Sequence, residues 1–172
     1  PMMGAGFMVN MLQRGAASLG RINEVLAEQP DIVSPPSGRT ARPRGEISIR
    51  NLTYRYPGAD ADALKGVSVD LPAGHTLGIL GRTGGGKTTL LDCIPRLLDP
   101  PRGTVFIDGV DVQDYELNTL RASFGLVPQS TFLFSATVAD NIRFADLDAD
   151  DETVRLYGTT AAMDTDVDDF PD

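Results

Sequence analysis

The sequence predicts an α/β domain with an antiparallel β edge. Residues 75–81, HTLGILG, form a continuous apolar run typical of a central buried strand, and a glycine-rich loop and helix follow. Segments 46–56 and 64–71 alternate apolar and polar residues, as half-buried strands do. With 41% hydrophobic and 23% charged residues, the 172-residue chain is not wholly disordered, and its length suits one domain with an extension.

The first 45 residues differ from the rest. Residues 1–29 have one apolar helical face, formed by Met8, Leu12, Leu19, Ile22 and Leu26, and Pro30 ends the predicted helix. Residues 30–45 hold four prolines and two glycines among polar residues, which predicts a linker. The α/β domain is therefore expected over residues 46–172.

The second half of the chain predicts short elements. Residues 103–112, GTVFIDGVDV, read as two strands joined by an Asp108-Gly109 turn. Residues 124–129, FGLVPQ, read as another buried strand ending at Pro128. Helices are predicted over residues 87–98, with Pro95 as an internal flaw, and over 117–122, 137–144 and 150–162.

Composition excludes several classes. The net charge is −9, and the acidic excess lies in residues 140–172, so a broad nucleic-acid-binding face is not expected. One cysteine excludes a disulfide framework. No apolar run approaches the length of a membrane span, and the first ten residues lack the features of a signal peptide. Because the chain opens with Pro, we expect a processed or excised piece.

The glycine-rich loop fits the phosphate-binding pattern G-x-x-x-x-G-K-[ST] at every fixed position. Glycines allow positive φ, so that successive N–H groups can surround an anion at the start of a helix. The lysine can reach the β and γ phosphates, and the first threonine hydroxyl can ligate Mg²⁺. The alternative is a glycine-rich turn that only caps a helix. The candidate phosphate-binding residues are Gly81, Arg82, Thr83, Gly84, Gly85, Gly86, Lys87, Thr88 and Thr89.

Residues on both sides of the loop identify a family resemblance. RNLTYRYPGADADALKGVS precedes the loop and LVPQSTFLFSATVADNI follows it. Together they resemble the ATP-binding domain of ABC transporters, most closely exporters in which membrane and nucleotide-binding domains share a chain. The resemblance implies a P-loop NTPase-like fold, here with an incomplete parallel sheet. It also implies ATP and Mg²⁺ as ligands, a membrane domain and a second nucleotide-binding domain as partners, and a place at the cytoplasmic face of the membrane.

Individual residues match the family's motifs. Tyr56 stands 25 positions before Gly81, where the family has an aromatic residue that stacks on adenine, and Tyr54 is the alternative. Gln129 matches the family's glutamine that contacts Mg²⁺ and the attacking water; the alternative is a solvated loop residue. Residues 131–141 resemble the surface that meets the membrane domain.

The resemblance also covers residues 2–28, which are similar to the cytoplasmic end of an exporter's last transmembrane helix. The alternative is a helix packed on the domain itself. The sequence contains no LSGGQ-like signature, no apolar strand followed by Asp-Glu (Walker B), and no switch histidine. We therefore expect nucleotide binding without appreciable hydrolysis by this chain alone, with Lys87 and Gln129 contributing to an incomplete catalytic set.

Some residues match only part of the pattern of a functional site. Asp108 ends a run that looks like a Walker B strand, but Gly109 follows where the general base belongs, so a turn is expected. His75 and Cys93 are expected to be structural, and a calcium site at Asp164, Asp166, Asp168 and Asp169 lacks the glycine and glutamate of a calcium loop. Two other classes remain open: another small P-loop enzyme such as a kinase, and a truncated remnant without function.

Overall fold

The computed structural model describes residues 2–163, which form two compact units divided after Gly125. The first unit contains helix α1 (Met2–Ala27), the strands and helices α2 (Lys87–Cys93) and α3 (Leu117–Arg121). The second contains helices α4 (Val138–Arg143) and α5 (Asp151–Thr160). The predicted helices over 1–29, 117–122, 137–144 and 150–162 are thus confirmed.

Helix α1 ends before Pro30 and exposes its apolar side chains. Phe7 is 72% exposed, and Leu12 is 66% exposed. The alternative that this helix packs on the domain is therefore wrong. Among the described residues, no helix combines the length and hydropathy that a membrane crossing requires.

Four strands form one antiparallel sheet in the order β2-β1-β3-β4. Strand β1 spans Ile47–Tyr54, β2 Leu64–Leu71, β3 Val105–Ile107 and β4 Val110–Asp111. The predicted antiparallel edge and its three strand-forming segments are confirmed. Ile49 and Leu52 both enter the core although they are three residues apart, because the pairing of β1 with β2 shifts register between them, where Asn51 has a φ of 49°. Arg50 stays exposed.

The core lies between this sheet and the helical segments that follow it. Helix α2 contributes Leu90 and Cys93, and α3 contributes Leu120. A 3-10 helix at Val112–Asp114, which the sequence did not predict, begins where the Asp111 carboxylate accepts from the Gln113 N–H. The buried cluster consists of Ile49, Leu52, Leu64, Leu90, Cys93, Val105, Ile107, Val112, Tyr115 and Leu120.

Two predicted central strands are wrong. Residues 75–80 and 124–128 form no strand, and Leu80 is 97% exposed while Val127 is 88% exposed. A buried strand needs hydrogen-bonded neighbours as well as apolar side chains. In the described residues the sheet contains only β1 to β4, so neither apolar segment has a neighbour to pair with.

Helix α2 begins at the predicted residue but ends five residues earlier than expected, at Cys93. Pro95 lacks the N–H that the next helical hydrogen bond would need. Arg96 then takes a left-handed conformation with φ 55°, which no α-helix continues. Arg96 is almost fully buried and its guanidinium pairs with Asp99 at 2.8 Å.

Asp108 and Gly109 form the two-residue turn between β3 and β4, as predicted. Both have positive φ, 49° and 74°, as a type I′ hairpin turn requires, and Ile107 pairs with Val110. The Asp108 carboxylate accepts N–H groups of Arg44, Gly45 and Glu46 at 2.5, 3.2 and 3.0 Å. The turn therefore fastens the segment that leads into β1.

Hydrogen bonds attach residues 34–39 to the segment that follows β4. The Arg39 N–H donates to the Asp114 carbonyl at 2.8 Å, and the Glu116 N–H donates to the Arg39 carbonyl at 3.0 Å. The Gly38 backbone lies so close to Glu116 that a Cβ at residue 38 would be 2.6 Å from the Glu116 nitrogen. A side chain at residue 38 would force these two segments apart.

The Asp108 contacts predict a pH-dependent contribution to stability. Burial raises the pKa of this carboxyl, but the three N–H donors and the Arg39 charge outweigh it, so its pKa lies below the ordinary 3.8. The ionised carboxylate therefore contributes fully to the free energy of unfolding above pH 3.8, the ordinary pKa. This contribution is lost as the pH falls through the lower pKa of the folded state. Asp108→Asn suits the positive φ and retains one acceptor oxygen, so it should lower the free energy of unfolding by about 1 kcal/mol at neutral pH.

Urea unfolding between neutral pH and about pH 3 checks this expectation, because the difference between wild type and Asp108→Asn should shrink in acid. The exposed Asp148 serves as the control, since Asp148→Asn should change stability little at any pH. A difference for Asp108→Asn that stays constant with pH would contradict the assignment.

Cys93 is fully buried, as expected for a core residue, and its thiol should be inert. Burial, with smaller effects from Asp92 and Asp99, raises its pKa to about 11. Since the thiolate is the reactive form, a disulfide reagent at about pH 8 should modify the native protein slowly and the denatured protein rapidly. Ser37→Cys in a Cys93→Ala background gives an exposed control thiol; equal labelling rates for the two native thiols would be inconsistent with a closed core.

Candidate functional site

Two glycines in left-handed conformations shape the loop between Gly81 and α2. Gly84 has φ 78° and Gly86 has φ 79°, which other residues adopt only with strain. Between them, the Gly85 N–H donates to the Arg82 carbonyl at 3.1 Å and closes a tight turn. Gly81, Arg82, Thr83, Gly84 and Gly85 are all exposed, and a Cβ added to Gly84 would meet no atom within 4 Å. The outer side of the loop is therefore open.

The inner side of the loop presses against the start of β2. A Cβ at Gly86 would lie 2.6 Å from the Ala63 carbonyl oxygen and 2.8 Å from Leu64 Cδ2. The Leu90 N–H then donates to the Gly86 carbonyl at 2.9 Å, which is the first hydrogen bond of α2. Gly86 is thus the residue at which loop, sheet and helix meet.

The Lys87 ammonium lies over the beginning of the loop. Its Nζ donates to the Gly81 carbonyl at 2.9 Å and to the Arg82 carbonyl at 2.8 Å. An ammonium group has three donors, so these two contacts leave one for a further acceptor. The cation is thus held against the glycine-rich backbone by carbonyl oxygens.

The two threonines after Lys87 differ in environment. Thr88 is exposed, so its hydroxyl is accessible. Thr89 is only 6% exposed, and its Oγ1 lies 3.0 Å from the Tyr56 hydroxyl. Tyr56 itself is 40% exposed. Its ring packs edge-to-face with the ring of Tyr54, with the two centroids 5.3 Å apart. The structure therefore brings Tyr56 to the first turn of α2.

Gln129 lies in the second unit, exposed and outside any helix or strand. In the same unit, Asn141 fastens the preceding loop. Its Nδ2 donates to the Phe134 carbonyl at 3.2 Å and to the Thr137 carbonyl at 2.9 Å, while its Oδ1 accepts the Phe134 N–H at 2.8 Å. The rings of Phe132, Phe134 and Phe144 pack together next to this loop and remain partly or largely exposed.

The sequence did not single out two of these features. The contact of Gly86 with Ala63 joins residues 23 positions apart, and no local pattern encodes it. Asn141 does carry a signal, because asparagine within a helix is unfavourable unless its side chain bonds nearby backbone. That signal, four residues after the Thr137 cap, could have drawn attention to the loop.

Among the described residues, the side chains that were expected to be structural do not form a functional site. Asp108 has its carboxylate engaged by backbone N–H groups, and His75 is exposed with its Nδ1 3.3 Å from the Ala73 carbonyl. Within residues 2–163, no group of three His, Cys, Asp or Glu side chains is placed to hold a metal ion. The candidate calcium residues Asp164, Asp166, Asp168 and Asp169 lie outside the described residues.

Comparison with known proteins decides the family. The family profile described as ABC transporter matches residues 64–170, which include the loop, α2 and Gln129. The chain belongs to the ABC transporter family. The fold of this ABC transporter chain is accordingly of the P-loop NTPase type, with its four-stranded antiparallel sheet left open. The matched family is the ABC transporters, whereas the other enzyme class that the sequence left open was small P-loop kinases.

Two individual relatives illustrate the similarity. The chain is 37% identical over 155 residues to the probable multidrug resistance ABC transporter ATP-binding/permease protein YheI of Bacillus subtilis, covering 90% of the chain and 26% of that protein. It is 44% identical over 138 residues to the ATP-dependent lipid A-core flippase of Aromatoleum aromaticum, covering 79% of the chain and 22% of the flippase. The chain thus spans about a quarter of the length of these relatives.

A solved structure of an ABC exporter is also similar to this chain. A bacterial Atm1-family ABC exporter with ATP bound superposes with a TM-score of 0.80 at 26% identity. The superposition covers 96% of this chain and 29% of the exporter chain. The likeness extends over nearly the whole chain.

The Gly86 contact predicts unequal effects of two similar substitutions. Gly84→Ala and Gly86→Ala impose the same left-handed strain, about 1–2 kcal/mol, but only the second places a methyl group against Ala63 and Leu64. We expect Gly86→Ala to lower the free energy of unfolding by roughly 1–3 kcal/mol more than Gly84→Ala. Urea unfolding of the two variants checks this, and equal losses would show that the loop does not press on β2.

Proposed function

We propose that this chain is the ATP·Mg²⁺-binding portion of an ABC exporter, with residues 46–172 as the N-terminal part of its nucleotide-binding domain. The observation that carries the proposal is the loop itself. Its outer side is open, Gly84 and Gly86 hold left-handed backbone, and Lys87 Nζ lies over its first carbonyls. A backbone of this kind can direct N–H groups at phosphate oxygens without interference from side chains.

The loop residues Gly81 to Thr89 would hold the phosphates, with Lys87 placing a positive charge on the β and γ groups. The exposed hydroxyl of Thr88 suits a Mg²⁺ ligand, and Gln129 would contribute its amide oxygen as the family motif implies. Tyr56 would stack on adenine, a contact of about 1–3 kcal/mol per base. Bound ATP supplies the phosphoanhydride bond whose hydrolysis drives transport in the family.

The exposed apolar surfaces suit the proposed partners. The loop fastened by Asn141, with the aromatic rings beside it, lies in residues 131–141 and would face the membrane domain. Helix α1, whose apolar side chains are more than half exposed, would be the cytoplasmic end of the last transmembrane helix. A second nucleotide-binding domain would complete the site in a homo- or heterodimer at the cytoplasmic face of the membrane.

Hydrolysis requires an oriented water as well as bound phosphates. No strand-end Asp-Glu pair stands in the 172 residues to orient that water. We therefore propose that the chain by itself binds nucleotide without appreciable turnover. A phosphate-release assay tests this: robust turnover that disappears in Lys87→Ala would show that the catalytic set is complete.

Titration calorimetry with millimolar MgATP tests binding. The chain has only two lysines, and Lys65, exposed on β2, is the matched control for Lys87. Lys87→Ala should weaken MgATP binding at least about tenfold, since charge-assisted hydrogen bonds to phosphate contribute roughly 1.5–3 kcal/mol. Lys65→Ala should leave the affinity unchanged. Absence of binding by wild-type protein that circular dichroism shows to be folded would favour the remaining alternative, a remnant without function.

A further inference from the structure

We propose that Thr89 is a positioning residue for Tyr56: its hydroxyl fixes the aromatic ring beside the phosphate loop before any nucleotide arrives. The inference rests on the proposed function and assigns Thr89 a role beyond contact with phosphate. The observation that supports this inference is the 3.0 Å contact between Tyr56 Oη and Thr89 Oγ1, which joins residues 33 positions apart.

Tyr56 needs such a restraint because it lies outside the sheet. Strand β1 ends at Tyr54, and Tyr56 begins a turn in which the Ala59 N–H donates to the Tyr56 carbonyl at 3.0 Å. Pro57 and Gly58, with φ 76° at the glycine, suit the two central positions of a type II turn. The turn fixes the backbone, but it leaves a side chain that is 40% exposed free to change rotamer.

Two contacts restrict the ring. One is its perpendicular packing with Tyr54, at an interplanar angle of 89°. The other is the hydrogen bond to Thr89, which ties the far end of the ring. Together they hold both the ring and the hydroxyl of Tyr56.

Thr89 is well placed to hold the ring because its side chain is packed against the core. It is buried in the first turn of α2, and its neighbour Leu90 and the helix end at Cys93 belong to the core cluster. A hydrogen bond to a fixed hydroxyl orders the ring during folding, so binding need not order it again. The base-binding and phosphate-binding parts of the site would then be assembled together.

A direct phosphate role and a positioning role predict different ligand dependence. If the Thr89 hydroxyl acted only on phosphate, its loss would weaken MgATP and Mg·tripolyphosphate equally. If it also acts through Tyr56, its loss weakens binding of the ligand that has a base more than binding of the ligand that lacks one. Tripolyphosphate therefore separates the two roles.

The experiment uses the full 172-residue chain and calorimetry with both ligands. Tyr56→Phe keeps the ring and removes the hydroxyl, and Thr89→Val keeps the shape and removes its partner. Each should weaken MgATP binding about fivefold, as the loss of one neutral hydrogen bond does, and the double variant should lose no more than either single variant. Thr89→Ser should restore the affinity, and Thr89→Val should weaken Mg·tripolyphosphate binding less than it weakens MgATP binding.

Tyr157→Phe, on the exposed side of α5 in the second unit, is the matched control for losing a tyrosine hydroxyl. It should bind MgATP as wild type does. Equal weakening of both ligands by Thr89→Val would assign the hydroxyl to phosphate and overturn the inference. Unchanged MgATP affinity in Tyr56→Phe would also overturn it.

A second readout does not depend on nucleotide binding. The chain has four tyrosines and no tryptophan, so near-ultraviolet circular dichroism reports tyrosine order directly. Thr89→Val should reduce this signal in the free protein, Thr89→Ser should preserve it, and Thr89→Val should add nothing in a Tyr56→Phe background. A spectrum unaffected by Thr89→Val would refute the positioning role, whereas failure of wild type to bind either ligand would refute only the proposed function.

Discussion

The contact between Gly86 and the start of β2 is the constraint on which the candidate site depends. With no side chain at residue 86, the loop backbone can lie against the Ala63 carbonyl and Leu64. The same residue starts α2 through its carbonyl, and α2 carries Lys87, Thr88 and Thr89. Because β2 pairs with β1, and β1 leads into the Tyr56 turn, this one contact sets the relative placement of loop, helix and aromatic ring.

Much of the fold was predictable because its signals are local. The alternating strands β1 and β2, the Asp108-Gly109 turn and the helices after it follow from neighbouring residues alone. The failures, residues 75–80 and 124–128, depend on something that local sequence does not contain. An apolar run becomes a strand only if other strands pair with it, and the described sheet gives these two segments no partner.

The candidate site likewise has features that local sequence predicts and features that it does not. The spacing of Gly81, Gly86 and Lys87 predicts a loop entering a helix, and the structure forms both. The contacts that position the loop and ring are long-range: Gly86 with Ala63, and Tyr56 with Thr89. Residue types can show which side chains suit a nucleotide, but only the folded chain shows which of them hold one another in place.

Asp108 shows how one neighbouring residue changes the meaning of a pattern. Three apolar residues followed by Asp are typical of a strand that ends at a metal site. Here Gly109 allows positive φ at the next position, so the chain reverses and the carboxylate turns to the N–H groups of residues 44–46. A carboxylate with three backbone donors is already satisfied, and those donors outweigh its burial to keep its pKa low. The same side chain that could have ligated a cation instead fastens the segment leading into β1, the strand from which Tyr56 follows.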